Sequence, residues 1–240
     1  MRVDVLFTRR DLEAIPRESL AGSTCVVIDV LRASTTLTQA IAVGAEEIHI
    51  ADSPEEAFAM KQNLGETALL CGERDGLIIP GFDIGNSPMD YTTETVGGRT
   101  LIFASTNGSR TLIACRDADE VLIGAFINMP SLIDEIQHAE RLLLVGSGKL
   151  GRFAIEDAIC AGMIFEELVR KGKRPVPQSD SAVCAKWLFE RFLASPDDTL
   201  AHAEHAQYLC SLGLAEDVAF CTQIGSHRIV PRFQDGIVKP

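Results

Sequence analysis

Acidic, basic and hydroxyl side chains stand close together near the end of a long apolar run. Cys25–Val30 is continuous and rich in β-branched residues, which is typical of a strand buried on both faces, yet Asp29 lies inside it. Arg32, Ser34 and Thr35 then open a predicted helix, where free backbone N–H groups and the helix dipole favour an anion. Unless this is a plain helix cap beside a surface arginine, the segment predicts an oxyanion site next to a buried carboxylate.

Polar side chains also follow two later strand patterns. Glu73 and Arg74 follow one of them, and Thr106, Asn107 and Gly108 follow the other. A capped turn is the alternative interpretation of the second segment. Because ligands of an open parallel sheet bind beyond the carboxyl ends of the strands, we expect these side chains to share one crevice with Asp29.

Several acids in the sequence are flanked by glycine or apolar residues and could supply oxygen ligands to a hard cation. These are Asp29, Glu73, Asp83, Glu156 and Asp157. Mg²⁺ prefers carboxylate oxygens, usually keeps some of its waters and shares a phosphate. Glu156 and Asp157 are neighbours on a predicted helix and point about 100° apart, so only one of them is expected to face the site.

The segment Gly146-Ser-Gly148-Lys-Leu-Gly151 matches the Gly-x-Gly-x-x-Gly pattern between a predicted strand and a predicted helix. A dinucleotide site also needs an acid about 20 residues later, at the end of a second strand. Here the helix pattern continues into Lys171-Gly172 and more helix follows. Dinucleotide binding is therefore disfavoured.

Cysteine and histidine residues form no recognisable metal or nucleophile motif. The seven cysteines include no Cys-x-x-Cys pair, and buried reduced thiols are expected. His202 and His205 lie three residues apart on a predicted helix without an accompanying Cys or acid pair at useful spacing. We expect them on a solvated helix face.

Short apolar runs alternate with helical patterns, which favours a mostly parallel sheet with helices on both faces. Strands are predicted at Val3–Phe7, Cys25–Val30, Glu47–Ala51, Ala68–Cys71, Thr100–Ala104, Glu120–Ala125, Arg141–Val145 and His227–Phe233. Helices are predicted at Ser34–Val43, from Ser53 onward, and at Gly108–Cys115, Pro130–Ala139, Arg152–Arg170, Ser181–Leu193 and Thr199–Leu212. The long segment Gly72–Thr93 is expected to be an ordered functional loop. The prediction is one three-layer α/β/α domain over residues 1–240, with a mostly parallel or mixed central sheet and a helical C-terminal layer from about residue 173.

Charge and hydropathy restrict the class of protein further. The chain has 240 residues and a net charge of −12, and its 22 basic residues are spread along it, so neither a nucleic acid nor an anionic membrane is an expected partner. No apolar run reaches the roughly 18–20 residues that cross a bilayer, and the first residues lack a secretory signal pattern. We expect a cytoplasmic protein that supplies local positive groups to any anionic substrate.

Taken in order, these segments carry a family likeness across nearly the whole chain. The matching stretches are Val27-Ile-Asp29-Val-Leu-Arg32-Ala-Ser34-Thr35, Gly72-Glu73-Arg74-Asp-Gly76, Pro80-Gly81-Phe82-Asp83-Ile-Gly-Asn86-Ser87-Pro88, Thr106-Asn107-Gly108-Ser109-Arg110, Gly151-Arg-Phe-Ala-Ile-Glu156-Asp157-Ala-Ile-Cys160-Ala161-Gly162 and Val230-Pro231-Arg232-Phe233. They resemble the 2-phosphosulfolactate phosphatase family. One position departs from it: the residue after Gly151, commonly Glu in the family, is Arg152.

The resemblance implies a three-layer α/β/α fold and a Mg²⁺-dependent phosphatase that converts 2-phospho-3-sulfolactate to 3-sulfolactate and phosphate, a step of coenzyme M biosynthesis where that pathway exists. Asp29, Arg32 and Glu73 are then the expected catalytic residues, and Asp29, Glu73 and Asp157 the expected Mg²⁺ ligands. The expected substrate-binding residues are Ser34, Thr35, Arg74, Asn86, Ser87, Thr106, Asn107, Gly108 and Arg110. The nucleophile is either metal-bound water or Asp29 itself, through an aspartyl-phosphate.

Two other functions stay open at this point. One is an NAD(P)-dependent oxidoreductase that uses the segment Gly146–Gly151, and the other is a non-catalytic anion-binding module in which Arg152 has disabled the metal site. A homodimer is plausible for an enzyme of this kind.

Overall fold

A computed structural model describes residues 1–194 and 200–240 of the chain. Its strands are β1 (Arg2–Leu6), β2 (Thr24–Ile28), β3 (Glu47–Ala51), β4 (Leu69–Arg74), β5 (Leu77–Ile78), β6 (Thr100–Ala104), β7 (Glu120–Gly124), β8 (Arg141–Gly146), β9 (Val176–Pro177), β10 (Arg232–Gln234) and β11 (Ile237–Lys239). Within the described residues they form one mixed sheet in the order β5-β4-β6-β3-β11-β10-β7-β2-β8-β1-β9. The predicted α/β architecture is confirmed.

The helices follow the strands in the order expected for crossover connections. They are α1 (Arg9–Glu13), α2 (Ala33–Ala42), α3 (Pro54–Leu64), α4 (Thr93–Val96), α5 (Gly108–Ala114), α6 (Met129–Ile136), α7 (Ile155–Arg170), α8 (Asp180–Ala194), α9 (Glu204–Ser211) and α10 (Ala215–Cys221). The predicted helix Thr199–Leu212 begins outside the described residues, and α9 lies within the described part of it.

The last part of the chain folds as a hairpin rather than as the single strand expected at His227–Phe233. Strands β10 and β11 are antiparallel and are joined by Asp235 and Gly236, which both have positive φ values (52° and 83°). An Asp-Gly pair with both φ values positive is typical of the tight turn that joins two short strands. Each strand has only three residues, too short for a clear apolar alternation.

This hairpin joins two parallel blocks of the sheet. Strand β11 pairs antiparallel with β3, and β10 pairs antiparallel with β7. Three antiparallel steps therefore separate the block β4-β6-β3 from the block β7-β2-β8-β1-β9. The two blocks therefore run in opposite directions within the sheet, yet the segments at the ends of β2, β4, β6 and β8 contact one another, as described below.

Among the described residues, three hydrophobic cores pack against the sheet. One lies between the block around β1, β2 and β8 and the helices α6, α7 and α8. The second lies between the two blocks and encloses α2 and α5, and the third packs α3 against the outer face of β4 and β6. Five of the seven cysteines are buried, in agreement with the expected buried thiols, and Cys184 and Cys210 are exposed. In the described part of the chain no helix is long and apolar enough to span a membrane.

Candidate active site

Asp29 lies immediately after β2, where the chain turns into α2. It is only 6% exposed. Its backbone N–H donates to Ser34 Oγ at 2.9 Å, and its Oδ1 accepts the backbone N–H of Ala33 at 3.2 Å. The first turn of α2 therefore fixes the carboxylate, while Oδ2 lies so close to Gly108 that a Cβ atom there would meet it at 2.8 Å.

Glu73 lies near the end of β4 and joins the segments that follow β4 and β6. Its Oε1 accepts the backbone N–H of Thr106 at 2.7 Å, and its Oε2 accepts the backbone N–H of Gly76 at 2.9 Å. The segment after β8 is tied in by Leu150, whose N–H donates to Asn107 Oδ1 at 3.0 Å. Four strand ends thus converge, as the sequence predicted, although the sheet that brings them together is mixed.

A cavity of about 320 Å³ opens at this convergence. Its wall is formed by Asp29, Leu31, Arg32, Glu73, Asp75, Gly76, Asn86, Thr106, Asn107, Lys149, Leu150, Glu204, His205 and Tyr208. The volume is that of a small-molecule site. Of the wall residues that are expected to be charged, four are acidic and two are basic, so an anionic ligand needs additional positive charge there.

Burial perturbs the carboxyl groups of this site. Burial, followed by the charge of Glu73, raises the pKa of Asp29 to about 7, while the hydrogen bond from the Ala33 N–H opposes the shift. Burial likewise raises the pKa of Asp157 well above its usual value, with the charge of Asp29 as the next contribution. Like charges in low-dielectric surroundings favour protonation unless a cation is present.

Arg32 is buried and held from two sides. Its Nη1 forms an ion pair with Asp217 of α10, and its Nη2 donates to the carbonyl oxygen of Gly76 at 2.7 Å. Asp217 Oδ1 in turn accepts the hydroxyl hydrogen of Ser87 at 2.8 Å. The guanidinium is therefore fixed at the cavity wall by groups from the C-terminal helices and from the long segment after β4.

Several predicted substrate-binding side chains have partners within the protein. The hydroxyl groups of Ser34 and Thr35 donate to the carbonyl oxygens of Val27 and Val30 at 3.2 and 2.9 Å, so both stabilise the turn between β2 and α2. The Thr106 hydroxyl donates to Glu73 Oε2 at 3.2 Å.

The two surface arginines among the predicted binding residues are also engaged elsewhere. Arg110 pairs with Asp52 at 3.1 Å and does not line the cavity, and Arg74 donates to the carbonyl oxygen of Glu73 at 3.2 Å. Asn86 does line the cavity, is buried, and its Oδ1 has no hydrogen-bond partner among the described residues. A contact between any of these side chains and a substrate stays a prediction.

Asp157 takes a different position from the one that the sequence suggested. Its Oδ1 and Oδ2 accept the backbone N–H groups of Val30 and Gly148 at 2.9 and 3.0 Å, and it does not line the cavity. In the described ranges 1–194 and 200–240, no three His, Cys, Asp or Glu side chains are grouped so as to hold a metal ion. Asp29, Glu73 and Asp157 are therefore not gathered as a three-carboxylate centre.

Glu156, the neighbour of Asp157, lines a second cavity of about 390 Å³. Its Oε2 is buried and unpaired within the described part of the chain. The two cavities share Lys149, Leu150, Glu204 and His205, and Arg152 lies on the wall of the second one. Of the two neighbouring acids, Glu156 therefore faces a cavity, and Asp157 stabilises the backbone segments of Val30 and Gly148.

The sequence prediction gave no role at the site to several of its polar residues, among them Lys149, His205, Tyr208 and Asp217. Lys149 lies 4.5 Å from the ring centre of Tyr208 and 3.6 Å from Glu204. The expectation that His205 lies on a solvated face is wrong: it lines the cavity, and burial together with the charge of Lys149 lowers its pKa to about 4. Lys149 stands in the glycine-rich motif and Tyr208 lies three residues after His205, which are the signals that could have drawn attention to them.

The fold and the cavity together define an α/β protein with a ligand site beyond the ends of its strands, built from buried carboxylates and a fixed arginine. Comparison with known proteins adds the family. The family described as 2-phosphosulpholactate phosphatase matches residues 11–236. This chain therefore belongs to the 2-phosphosulfolactate phosphatase family.

Individual relatives agree with that assignment. A protein of Symbiobacterium thermophilum named probable 2-phosphosulfolactate phosphatase is 40% identical over 225 residues, which cover 93% of this chain and 96% of the relative. Proteins of the same name from Clostridium perfringens strain SM101 and Thermotoga petrophila are 35% and 34% identical, over 100% and 95% of this chain and 96% of each relative.

Proposed function

We propose that this protein is a phosphatase that hydrolyses 2-phospho-3-sulfolactate to 3-sulfolactate and phosphate, with Mg²⁺ as its cofactor. The observation that carries the proposal is Asp29, a buried carboxylate at the junction of β2 and α2 that lines the cavity beside Glu73 and Arg32. The family assignment and the names of the relatives support the same reaction.

The residues at the cavity fit a hard divalent cation. Asp29 and Glu73 offer carboxylate oxygens in buried positions, and the unpaired Oδ1 of Asn86 on the same wall would be a further oxygen ligand. Mg²⁺ is commonly held by one or two carboxylates together with waters and a substrate phosphate, so a three-carboxylate group is not required. When bound, the ion supplies positive charge that neutralises phosphoryl oxygens during the transfer.

The chain's own residues account for orientation and charge. Arg32 presents a fixed guanidinium, a geometry suited to phosphate oxygens. A nucleophile, either water or the Asp29 carboxylate, attacks phosphorus, the bond between phosphorus and the C2 oxygen breaks, and that oxygen takes up a proton to give 3-sulfolactate. On the Asp29 route, water then attacks the aspartyl-phosphate, which releases phosphate and regenerates the carboxylate.

Steady-state hydrolysis tests the function directly. Purified protein is assayed with 2-phospho-3-sulfolactate and with matched phosphate monoesters that lack the sulfonate, each in Mg²⁺ and in EDTA. We expect hydrolysis that EDTA abolishes and added Mg²⁺ restores, with kcat/KM highest for the sulfonate-bearing substrate. Activity indifferent to chelation contradicts the Mg²⁺ proposal, and absence of hydrolysis with every monoester contradicts the phosphatase.

A second experiment separates the two nucleophiles. A single turnover in ¹⁸O-labelled water, with excess enzyme over substrate, leaves the label in phosphate if water attacks phosphorus directly. If Asp29 attacks first, water that hydrolyses the aspartyl-phosphate at its carbonyl carbon leaves ¹⁸O in the Asp29 carboxylate, whereas water that hydrolyses it at phosphorus labels the phosphate as on the direct route. Acid quenching with ³²P-labelled substrate then traps a radioactive protein on the Asp29 route and none on the water route.

The competing functions receive less support. The glycines of the segment 146–151 are explained by close packing: a Cβ atom at Gly148 would meet the Arg152 carbonyl oxygen at 2.3 Å, and one at Gly151 would meet the Arg10 guanidinium at 2.3 Å. A dinucleotide is not needed to explain this motif. The family assignment also favours a phosphatase over an oxidoreductase or a non-catalytic module.

A further inference from the structure

Asp217 is remote in sequence from the strand ends that build the cavity, yet it holds the cavity's arginine. Arg32 and Asp217 are each only 3% exposed, and they form an ion pair. Asp217 uses its second carboxylate oxygen to accept the Ser87 hydroxyl at 2.8 Å. A buried ion pair is weak evidence for stability, because desolvation offsets much of its attraction. The ion pair matters for the site because it orients the Arg32 guanidinium at the cavity wall.

The guanidinium of Arg32 has one defined orientation in this network. Asp217 fixes one terminal nitrogen, and the carbonyl oxygen of Gly76 fixes the other at 2.7 Å. An arginine has five N–H donors, so these two bonds leave donors for a ligand in the cavity that Arg32 lines. Removal of either bond would leave the positive charge of Arg32 in place, but the guanidinium would no longer be held in one orientation.

The neighbouring helix α9 holds the same turn from outside. The Tyr208 hydroxyl donates to the carbonyl oxygen of Asp75 at 2.8 Å. A Cβ atom at Gly76 would meet the Leu212 side chain at 3.0 Å, which shows how closely this turn packs against the C-terminal helices. Both contact points of the Arg32 guanidinium are therefore controlled by α9 and α10.

We propose that Asp217 is a positioning residue of the active site, which orients the Arg32 guanidinium toward the phosphoryl group and makes the C-terminal helical layer part of the catalytic machinery. The inference rests on the proposed phosphatase function. Orientation matters most when charge is redistributed in the transition state, whereas ground-state attraction for an anion depends mainly on the charge. The kcat value should therefore respond to Asp217 more strongly than KM.

The experiment compares Asp217→Ala, Asp217→Asn and the matched control Glu216→Gln. Glu216 is an exposed acid one residue earlier in the first turn of the same helix. Its substitution removes the same charge and leaves the ion pair between Arg32 and Asp217 in place. With 2-phospho-3-sulfolactate and Mg²⁺, we expect Asp217→Ala to lower kcat at least tenfold, with KM changed by less than about threefold. Asp217→Asn, whose Oδ1 can still accept from Arg32, should recover most of that loss, and Glu216→Gln should match the wild type.

A double-mutant cycle with Arg32→Ala distinguishes positioning from a general structural role. If Asp217 acts through Arg32, Asp217→Asn and Asp217→Ala each change kcat by less than about twofold once Arg32 is gone. Effects that multiply instead would overturn the proposal, as would an Asp217→Ala enzyme with wild-type kcat. Far-UV circular dichroism verifies that each variant is folded before its kcat is compared with that of the wild type.

A spectroscopic readout keeps this inference separate from the proposed function. The ¹⁵Nε–¹Hε signal of Arg32, assigned by its loss in Arg32→Lys, is followed while inorganic phosphate is added. We expect a resolved signal that shifts with phosphate in the wild type and that broadens or exchanges away in Asp217→Ala. An unchanged signal and shift in Asp217→Ala would refute the positioning role even if the wild type hydrolysed no phosphate monoester. A wild type without activity, but with the expected signals, would refute the proposed function alone.

Discussion

Asp29 combines two properties that oppose each other in an ordinary protein interior. Its carboxyl group is almost fully buried, and burial with the charge of Glu73 outweighs the opposing charge of Arg32, which is paired with Asp217. An uncompensated buried carboxylate is unfavourable for the folded state and persists only where something else depends on it. At the residue scale, the proposed binding of a cation and a phosphate would explain why an arrangement that costs stability is kept at this site.

Asp29→Asn tests this conflict. We expect the variant to lose at least about 1,000-fold in kcat/KM, on the order of 4 kcal/mol, because both candidate mechanisms use the carboxylate. In EDTA at pH 8 its free energy of unfolding should equal or exceed that of the wild type, because the substitution removes a charge that faces Glu73. Steady-state kinetics and urea denaturation measure the two effects. Asp52→Asn, which removes an exposed acid, is the control, and a variant that retains a tenth of wild-type activity contradicts the role.

His205 makes a measurable contribution to the pH dependence of stability. Burial and the charge of Lys149 lower its pKa from 6.5 to about 4 in the folded protein. As pH falls from about 6.5 to 4, the unfolded chain therefore binds a proton that the folded chain does not, and stability decreases. The loss attributable to His205 is at most about 3 kcal/mol.

We expect His205→Gln to flatten this part of the stability profile. Urea denaturation of both proteins in EDTA at pH 7.5, 6, 5 and 4 measures the difference between their unfolding free energies. That difference should change in favour of the variant as the pH decreases below about 6.5. His138→Gln is a control at another histidine. Parallel profiles for wild type and His205→Gln would show that the imidazole is not shielded from protonation.

At the scale of the elements, the start of α5 must approach the turn between β2 and α2 very closely. A Cβ atom at Gly108 would lie 2.5 Å from Ala33 Cβ and 2.8 Å from Asp29 Oδ2. These distances are shorter than side chains tolerate, so either α5 or the Asp29 carboxylate would have to move. The absence of a side chain at Gly108 is what allows the two parallel blocks to share one cavity.

Gly108→Ala should therefore lower kcat/KM at least tenfold and destabilise the protein by about 1–3 kcal/mol. Gly85→Ala is the matched control, because a Cβ atom there would meet only Ile78 at 3.6 Å, an ordinary contact. It should stay within about twofold of wild-type activity. Kinetics with 2-phospho-3-sulfolactate and thermal denaturation measure both effects. If Gly108→Ala behaves like Gly85→Ala, the close approach has no catalytic consequence.

The pattern of apolar residues was sufficient to predict most elements, because buried strands such as β2, β6 and β8 are nearly continuous hydrophobic runs. It was insufficient for the terminal hairpin, where each strand has three residues and pairing with distant strands decides the structure. For the site, Asp29 and Glu73 were predictable, since strand ends are a property of the local sequence. Asp217 and His205 were not, because their burial results from how the C-terminal helices pack on the rest of the chain.

At the scale of the whole molecule, the hairpin β10–β11 is the only described sheet connection between the two parallel blocks. Val238 lies in the middle of β11, is fully buried, and packs in the core that both blocks share. Because this core also encloses α2 and α5, the geometry of the site depends on residues at the far end of the chain. The expected homodimer and the cytoplasmic location stay predictions.

Val238→Ala tests whether the blocks unfold together. We expect a loss of about 2 kcal/mol, from transfer of the deleted methyl groups and the space that they leave. If the hairpin makes the blocks one cooperative unit, the transition detected by Trp187, the single tryptophan, shifts as much as the transition detected by far-UV circular dichroism. Trp187 is an exposed residue of α8, and α8 packs on the block that contains β1. Ile237→Ala, which alters the half-buried neighbour of Val238, should have a smaller effect. The contrary result is a tryptophan transition that stays at its wild-type midpoint while the circular dichroism transition moves. The block around β1, β2 and β8 would then be stable without the block β4-β6-β3, and only the shared cavity would require the two blocks to be joined.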